Sequence, residues 1–359
     1  MKFLIAAGGT GGHITPGIAI ANKLKELGNE VIFLGTSTGM ETDLVPKAGY
    51  DLKIIRAKGL IRGFSLKNIE IIKCLFDGIS DVKKIIEKEK PDMIIGTGGY
   101  VTAPAIIAAL QKKVPCMIHE SNALPGKTTM WLSKKVDVIA LGFEDAKKRL
   151  PKAKNAVYTG NPTKMKGSID KQKVRENLKI QKSLVLVFGG SQGAKKINET
   201  MIEVINDQKE KSYQIIYATG PKNYDAIISK ITNESDNVCI EKYIYNMEEV
   251  MAVSDIAVCR SGALTVTELG ILGVPSILVP LPTAAENHQY YNAKTIEDVG
   301  GGIIIEEKDL TKEKLEETIE NLLSDSKRLE QMKKKALREE NVGAIDKIMD
   351  EINKFVKIK

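Results

Sequence analysis

Short, unbroken apolar runs alternate along the whole chain with longer stretches in which apolar residues recur every three to four positions. Runs of this kind read as strands buried on both faces, and the longer stretches as helices covering them. The pattern predicts strands at 3–7, 31–34, 52–56, 93–96, 116–119 and 136–141, with helices near 17–27, 66–88 and 103–111. The second half repeats the rhythm, with strands at 184–188, 214–218, 238–240, 256–259, 276–279 and 302–304. Its helices are expected at 194–205, 224–231, 248–254, 263–272 and 289–299, and the chain from Thr311 onward reads as charged helix. Strand and helix in strict alternation predict parallel sheets with helices on both faces. Tyr158-Thr159-Gly160-Asn161-Pro162-Thr163 breaks the rhythm, and a lysine-rich stretch follows. Two doubly wound α/β domains are therefore expected, 1–162 and 163–359, with the last helix either staying in the second or packing back on the first. A chain of 359 residues exceeds one ordinary core and fits two.

Each half carries a glycine-rich loop directly after an apolar run: Gly8-Gly9-Thr10-Gly11-Gly12-His13 and, about 180 residues on, Gly189-Gly190-Ser191-Gln192-Gly193-Ala194. Glycines let a backbone come close to a phosphate, and the helix that follows offers unpaired N–H groups and a positive dipole end. Arg260-Ser261-Gly262-Ala263 is a third candidate of the same kind. Ligands of doubly wound sheets bind beyond the carboxyl ends of the strands, which predicts a site in a cleft between facing domains.

Composition narrows the ligand. A net charge of +7 favours anionic partners, although many lysines of the last fifth alternate with glutamates and read as solvated helix faces. Aromatics make up only 5%, without a basic-aromatic tract, so nucleic acid is not expected. The four cysteines are far apart, and Cys116 and Cys259 sit in apolar runs, which reads as buried free thiols in a reducing compartment. The amino-terminal apolar run is a first strand, too short for a signal peptide, and no run is long enough to span a bilayer.

Familiar nucleotide signatures are absent. Ile14 occupies the third glycine position of a dinucleotide fingerprint, and no Gly-Lys-Ser/Thr follows either loop. His119-Glu120 starts like a zinc motif, but Ala123 stands where its second histidine belongs, and there is no Asp-x-Asp pair to grip a metal–diphosphate. No metal is expected; charge on a phosphate must then be met by amides, helix dipoles and cationic side chains. His13 is either a general base beside a helix N-terminus or a helix-capping residue, and Asn122 either meets a sugar hydroxyl or closes a turn. Glu268, one turn inside the helix after Gly262, has the reach for a ribose diol, or serves the helix dipole. Glu286-Asn287-His288-Gln289 forms a polar cluster beyond a strand end.

Taken in order and spacing, Gly8 to His13, His119-Glu120-Ser121-Asn122, Gly160-Asn161-Pro162, Gly189 to Ala194, Cys259 to Glu268 and Glu286 to Asn292 closely resemble the MurG family of bacterial cell-wall glycosyltransferases. The resemblance covers nearly the whole chain. It implies a two-domain GT-B fold and an inverting, metal- and cofactor-independent transfer of N-acetylglucosamine. The donor is UDP-N-acetylglucosamine, the acceptor the C4 hydroxyl of undecaprenyl-diphosphoryl-N-acetylmuramoyl-pentapeptide (lipid I), and the product lipid II. It places Ile244 on the uracil, Glu268 on the ribose, and Ser191 and the amides of Leu264 and Thr265 on the diphosphate; Arg260 and Ala263, read above as part of an anion-binding candidate, are expected among the donor-binding residues. His288, Gln289 and Asn122 fall on sugar hydroxyls, Thr10, Gly11 and Gly12 line the cleft opposite, and His13 is the family's candidate base. Lys164 stands where some members carry arginine, which keeps the charge and loses the bidentate fork. A lipid acceptor implies peripheral attachment to the cytoplasmic face of the membrane and allows a place in a cell-wall synthesis complex. Ile72, Leu75, Phe76, Ile79 and Val82 form an apolar stripe with Lys73 beside it, and Leu60-Ile61-Arg62-Gly63-Phe64 precedes it. This is either an interfacial surface on anionic lipid or a helix packed on its sheet. Rival readings are a UDP-N-acetylglucosamine epimerase or lipid glycosyltransferase on the same fold, and a nucleotide-sugar binding protein without turnover.

Overall fold

The computed structural model describes residues 1–59, 67–163, 165, 169–207, 211–233 and 235–358, without the side chains of 67–69. It divides into two compact units, Met1–Lys164 with Gly343–Lys359, and Met165–Val342.

The first unit runs β1 (Lys2–Ala7), α1 (Gly11–Glu26), β2 (Glu30–Gly35), α2 (Glu41–Lys47), β3 (Asp51–Ile54), α3 (Lys67–Glu89), β4 (Met93–Gly98), α4 (Thr102–Lys112), β5 (Cys116–Glu120), α5 (Lys127–Leu132), β6 (Val138–Leu141), α6 (Asp145–Lys148) and β7 (Ala156–Tyr158). The strands form one parallel sheet in the order β3-β2-β1-β4-β5-β6-β7. Alternate residues of β1 feed opposite cores. Leu4 and Ala6 meet α3 and α4 through Val82, Ile106 and Ala109, while Phe3 and Ile5 meet α1 through Ile14, Ile20 and Leu24. Both faces being covered is why the strands read as continuous apolar runs.

The second unit runs α7 (Lys171–Asn177), β8 (Ser183–Phe188), α8 (Lys195–Asn206), β9 (Tyr213–Ala218), α9 (Tyr224–Ile228), β10 (Val238–Glu241), α10 (Met247–Val253), β11 (Ile256–Cys259), α11 (Ala263–Leu272), β12 (Ser276–Leu278), α12 (His288–Glu297), β13 (Gly302–Ile304), α13 (Lys312–Ser324) and α14 (Ser326–Ala336). Its parallel sheet has the order β10-β9-β8-β11-β12-β13. The final helix, α15 (Ala344–Asn353), belongs to the first unit, where Ile348, Met349 and Ile352 join the core with α1 and Lys23 pairs with Asp346 at 3.1 Å. Two parallel α/β domains match the fold class expected from the sequence.

Three expectations need correction. Helix α1 starts at Gly11 rather than Gly17, so the end of the glycine loop is already its first turn, and Pro16 lies inside it. Helices α2 and α5 and edge strand β7 had no clear periodicity and were not anticipated. The apolar stripe of α3 is divided by the helix's rotation: Ile79 and Val82 are buried in the core and Leu75 packs against it. Only Ile72 and Phe76, 53% and 66% exposed, remain at the surface beside exposed Lys73. Ile79 is therefore removed from the candidate membrane face. The segment 60–64 and Lys164 lie outside the described residues. Among the described residues no helix is long and apolar enough to cross a membrane.

Candidate functional site

In each sheet the strand order reverses direction once, between β1 and β4 and between β8 and β11, and ligands gather at such switch points. Both glycine loops leave from these strands.

In the first unit, Gly9 takes φ +90°, open to glycine at no cost, and Thr10 caps α1 in extended conformation. The His13 ring turns back on the loop, with Nδ1 3.2 Å from the Gly8 carbonyl and 3.3 Å from Thr10 Oγ1. A carbonyl only accepts, so in the neutral ring Nδ1 carries the proton and Nε2 the lone pair, the tautomer a base requires. A second glycine pair, at the end of β4, walls this arrangement. A Cβ on Gly98 would stand 2.3 Å from His13 Cδ2, and one on Gly99 2.1 Å from the Gly8 oxygen. The β1–β4 register slips beside it, pairing Ala6 with Gly96 and Ala7 with Gly98, and Thr97 Oγ1 donates to the His13 carbonyl at 2.8 Å. This Gly96–Gly99 segment was missed in the sequence, although an apolar run ending in glycines was the very signal used for the other two loops.

Glu41, on α2, was also missed. It is fully buried, and its Oε2 accepts from the Gly9 amide at 3.0 Å while Oε1 accepts from the Thr36 amide at 3.0 Å and Thr36 Oγ1 at 2.8 Å. Burial works to raise its pKa, but the amides of Thr36 and Gly9 prevail and hold the carboxyl below the usual range. The Gly9 amide is thus already engaged, and a phosphate reaching this loop must use other donors.

At the end of β5, burial pushes the His119 imidazole down to about 4, so it is neutral. Glu120 accepts from the amides of Asn122 and Gly126 at 3.1 and 3.0 Å and from Thr129 Oγ1 at 2.6 Å. It thereby shapes the turn that presents Asn122, whose Nδ2 lies 3.4 Å from the same carboxylate. Buried Asn161 donates to the Ser121 carbonyl at 3.1 Å, which explains the Gly-Asn-Pro motif as a brace for this turn.

The second glycine loop is built from neutral groups. Asn223 Nδ2 donates to the Gln192 and Thr219 carbonyls at 3.0 and 3.2 Å, and Gly193, at φ +77°, has no room for a Cβ, which would meet the Thr219 oxygen at 2.1 Å. Ser191 is exposed at its tip. Phe188 pairs with Cys259 across β8 and β11, so this loop and the N-terminus of α11 emerge side by side. Gly262 caps α11 in extended conformation, leading into Ala263, Leu264 and Thr265. One turn on, burial and then the charge of Glu248 raise the Glu268 carboxyl to about 7. His288 opens α12 and donates from Nδ1 to the Ala285 carbonyl at 2.7 Å, after two consecutive left-handed residues, Glu286 and Asn287. Gln289 Oε1 accepts from the Leu281 amide at 2.9 Å, which leaves its amide hydrogens to serve a ligand. Ile244 is buried between exposed Tyr243 and Tyr245.

Arg260 differs from expectation. Its guanidinium turns inward, donating to the Val279 and Pro280 carbonyls at 3.1 and 3.2 Å and pairing with Glu307. It holds the strand ends of β11 and β12 in place and is not directed at a diphosphate. Among the described residues, no group of His, Cys, Asp or Glu gathers as a metal site.

Comparison with known proteins agrees over both units. Residues 3–141 match the glycosyltransferase family 28 N-terminal domain, and residues 184–348 the glycosyltransferase family 28 C-terminal domain. The chain is 42% identical to a UDP-N-acetylglucosamine–N-acetylmuramyl-(pentapeptide) pyrophosphoryl-undecaprenol N-acetylglucosamine transferase of Acetivibrio thermocellus, covering 100% of this chain and 99% of that one. It is 43% identical to the protein of the same name from Caldanaerobacter subterraneus, over 94% of each. A crystal structure of Acinetobacter baumannii MurG superposes with a TM-score of 0.80 at 30% identity, over 98% of this chain and 99% of that one. A UDP-N-acetylglucosamine 2-epimerase structure from Listeria monocytogenes, described as putative, superposes at 0.68 over 99% of this chain and 96% of that one, but with 15% identity it shares the fold alone.

Proposed function

The chain belongs to the MurG group of glycosyltransferase family 28, and on that premise we propose how its residues divide one glycosyl transfer. The enzyme transfers N-acetylglucosamine from UDP-N-acetylglucosamine to lipid I and forms lipid II. The observation that carries the division of labour is the pair of switch-point loops. One bears an imidazole whose lone pair sits on Nε2; the other lies beside a helix N-terminus followed by a carboxylate at diol spacing.

On this reading the second unit binds the donor. Ile244 meets the uracil through its backbone and Glu268 accepts from the ribose hydroxyls. Ser191 and the amides of Ala263, Leu264 and Thr265 take the diphosphate, and His288 and Gln289 orient the sugar. In the first unit Thr10, Gly11 and Gly12 contact the donor sugar or the acceptor's diphosphate, Asn122 meets the donor sugar's hydroxyls, and His13 Nε2 takes the proton of the attacking C4 hydroxyl. The hydroxyl oxygen displaces UDP from the opposite face of the anomeric carbon, inverting it. Amides and the dipole of α11 stabilise the negative charge that develops on UDP, without a metal. The acceptor's lipid tail holds it in the bilayer, and exposed Ile72 and Phe76 beside Lys73 suit a protein attached peripherally to the cytoplasmic face.

The test is UDP release from UDP-N-acetylglucosamine in EDTA, with and without a short-chain lipid I analogue. Acceptor-dependent release with a β-linked disaccharide is expected. Binding without release would favour a nucleotide-sugar binding protein, and equal release without acceptor a hydrolase or epimerase. His13→Ala should cost about a hundredfold or more in kcat with little change in donor affinity; proportional loss of both would reduce His13 to a loop-shaping residue.

A further inference from the structure

We propose that Glu41 is a positioning residue for the transfer, raising the basicity of His13 through the Gly8–Gly9 peptide group. Two hydrogen bonds meet on that one peptide. Its N–H, on Gly9, donates to Glu41 Oε2 at 3.0 Å, and its carbonyl, on Gly8, faces His13 Nδ1 at 3.2 Å. A carboxylate that accepts the N–H of a peptide draws electron density toward its carbonyl oxygen, which becomes a stronger acceptor for the next donor. The imidazolium formed when Nε2 takes a proton is thereby stabilised. No proton travels along the chain: Nδ1 keeps its own, and Glu41 stays ionised.

The fold supplies a reason for such a device. His13 sits in the first turn of α1, where the positive dipole end opposes the imidazolium. A fully buried carboxylate is costly, and packing alone would be served by an apolar side chain. Yet the site is shaped around this one: a Cβ on Gly35 would lie 2.6 Å from Glu41 Cγ, and one on Gly39 2.0 Å from Oε2. Gly99 likewise leaves the Gly8 oxygen in its place. The second unit makes the contrast, because its glycine loop is held by the neutral amide of Asn223, itself donating to loop carbonyls. A carboxylate there would repel a diphosphate; under the loop that carries the base it assists. Besides Glu41, the titratable side chain of Tyr100 also faces the first loop, its ring 3.3 Å from a Cβ placed on Gly9.

The proposal rests on His13 being the base, and the experiment separates the two. The chain has three histidines, so the imidazole signals of the full-length protein can be followed by NMR and His13 identified from its loss in His13→Ala. Glu41→Gln keeps the shape and turns an NH2 group toward the Gly9 N–H. In this variant the His13 midpoint should fall by about half a pH unit or more. The plateau kcat should fall by up to about threefold, with UDP-N-acetylglucosamine affinity unchanged, and Glu41→Gln should leave kcat unchanged in a His13→Ala background. An unchanged midpoint in folded Glu41→Gln, or an equal loss in both backgrounds, overturns the relay. Near wild-type turnover in His13→Ala removes the base, and with it the catalytic meaning of Glu41, by a separate observation. If Glu41→Gln does not fold, Glu41→Asp, one methylene short of Gly9, must shift the midpoint in the same direction.

Discussion

With Glu268 on the donor ribose, as proposed, donor binding is a proton-linked event. Its carboxyl is raised from the ordinary 4.5 to about 7 by burial and by Glu248, so in the unliganded protein it is half protonated near neutrality. At about 1.4 kcal/mol per pH unit, its ionised form costs the folded state about 3 kcal/mol relative to the unfolded chain. The sign follows from the direction: the folded pKa lies above the unfolded one, so this stability is present below pH 4.5 and lost as pH rises to about 7. A ribose diol donates two hydrogen bonds and prefers the carboxylate. UDP-N-acetylglucosamine carries a diphosphate diester with no ionisation of its own near neutrality, so the pH dependence belongs to the protein. Glu268 is ionised to roughly a tenth at about pH 6 and roughly nine-tenths at about pH 8, and donor affinity should be about tenfold weaker at the lower pH. Titration calorimetry in buffers of different ionisation enthalpy should show proton release on binding near pH 7. Glu268→Gln should bind more weakly, with no pH dependence over this range, and should stabilise the unliganded protein near pH 8. Equal affinity at both pH values without proton release would refute the reasoning.

Two further outcomes test the packing. Phe76→Glu and Ile72→Glu should abolish sedimentation with anionic vesicles while changing stability by no more than about 0.5 kcal/mol, whereas Ile79→Glu, in the core on the same stripe, should destabilise by about 3 kcal/mol or more in urea unfolding. Retained vesicle binding in the first two variants would remove α3 from the membrane face. Ile348→Ala on α15 removes a fully buried side chain from the core of the first unit and should cost about 2–5 kcal/mol by the same measurement; no loss would show that α15 adds nothing to that core.

Local patterns were legible wherever one segment of chain carries its own reason. Parallel strands buried on both faces must be continuous apolar runs, and a loop that approaches its neighbours closely must be glycine, so the two doubly wound sheets and the loops at 8–13 and 189–194 could be read in order. Other roles are conferred by residues distant in sequence. Glu41 is one carboxylate among many until the end of β2 brings it under Gly9, 32 positions away, and Gly98 is an ordinary glycine until β4 pairs with β1 and sets it against the His13 ring. Arg260 beside a glycine turn reads as an anion binder, and only the ends of β12 and the approach of Glu307 turn its guanidinium inward. The α3 stripe has one periodicity for buried and exposed positions alike; which side meets the sheet decides that Ile79 is core and Phe76 surface. Periodicity and backbone sterics act within a few residues and are written in the sequence, whereas burial, hydrogen-bond partners and pKa depend on what the fold places alongside, and these the tertiary structure alone decided.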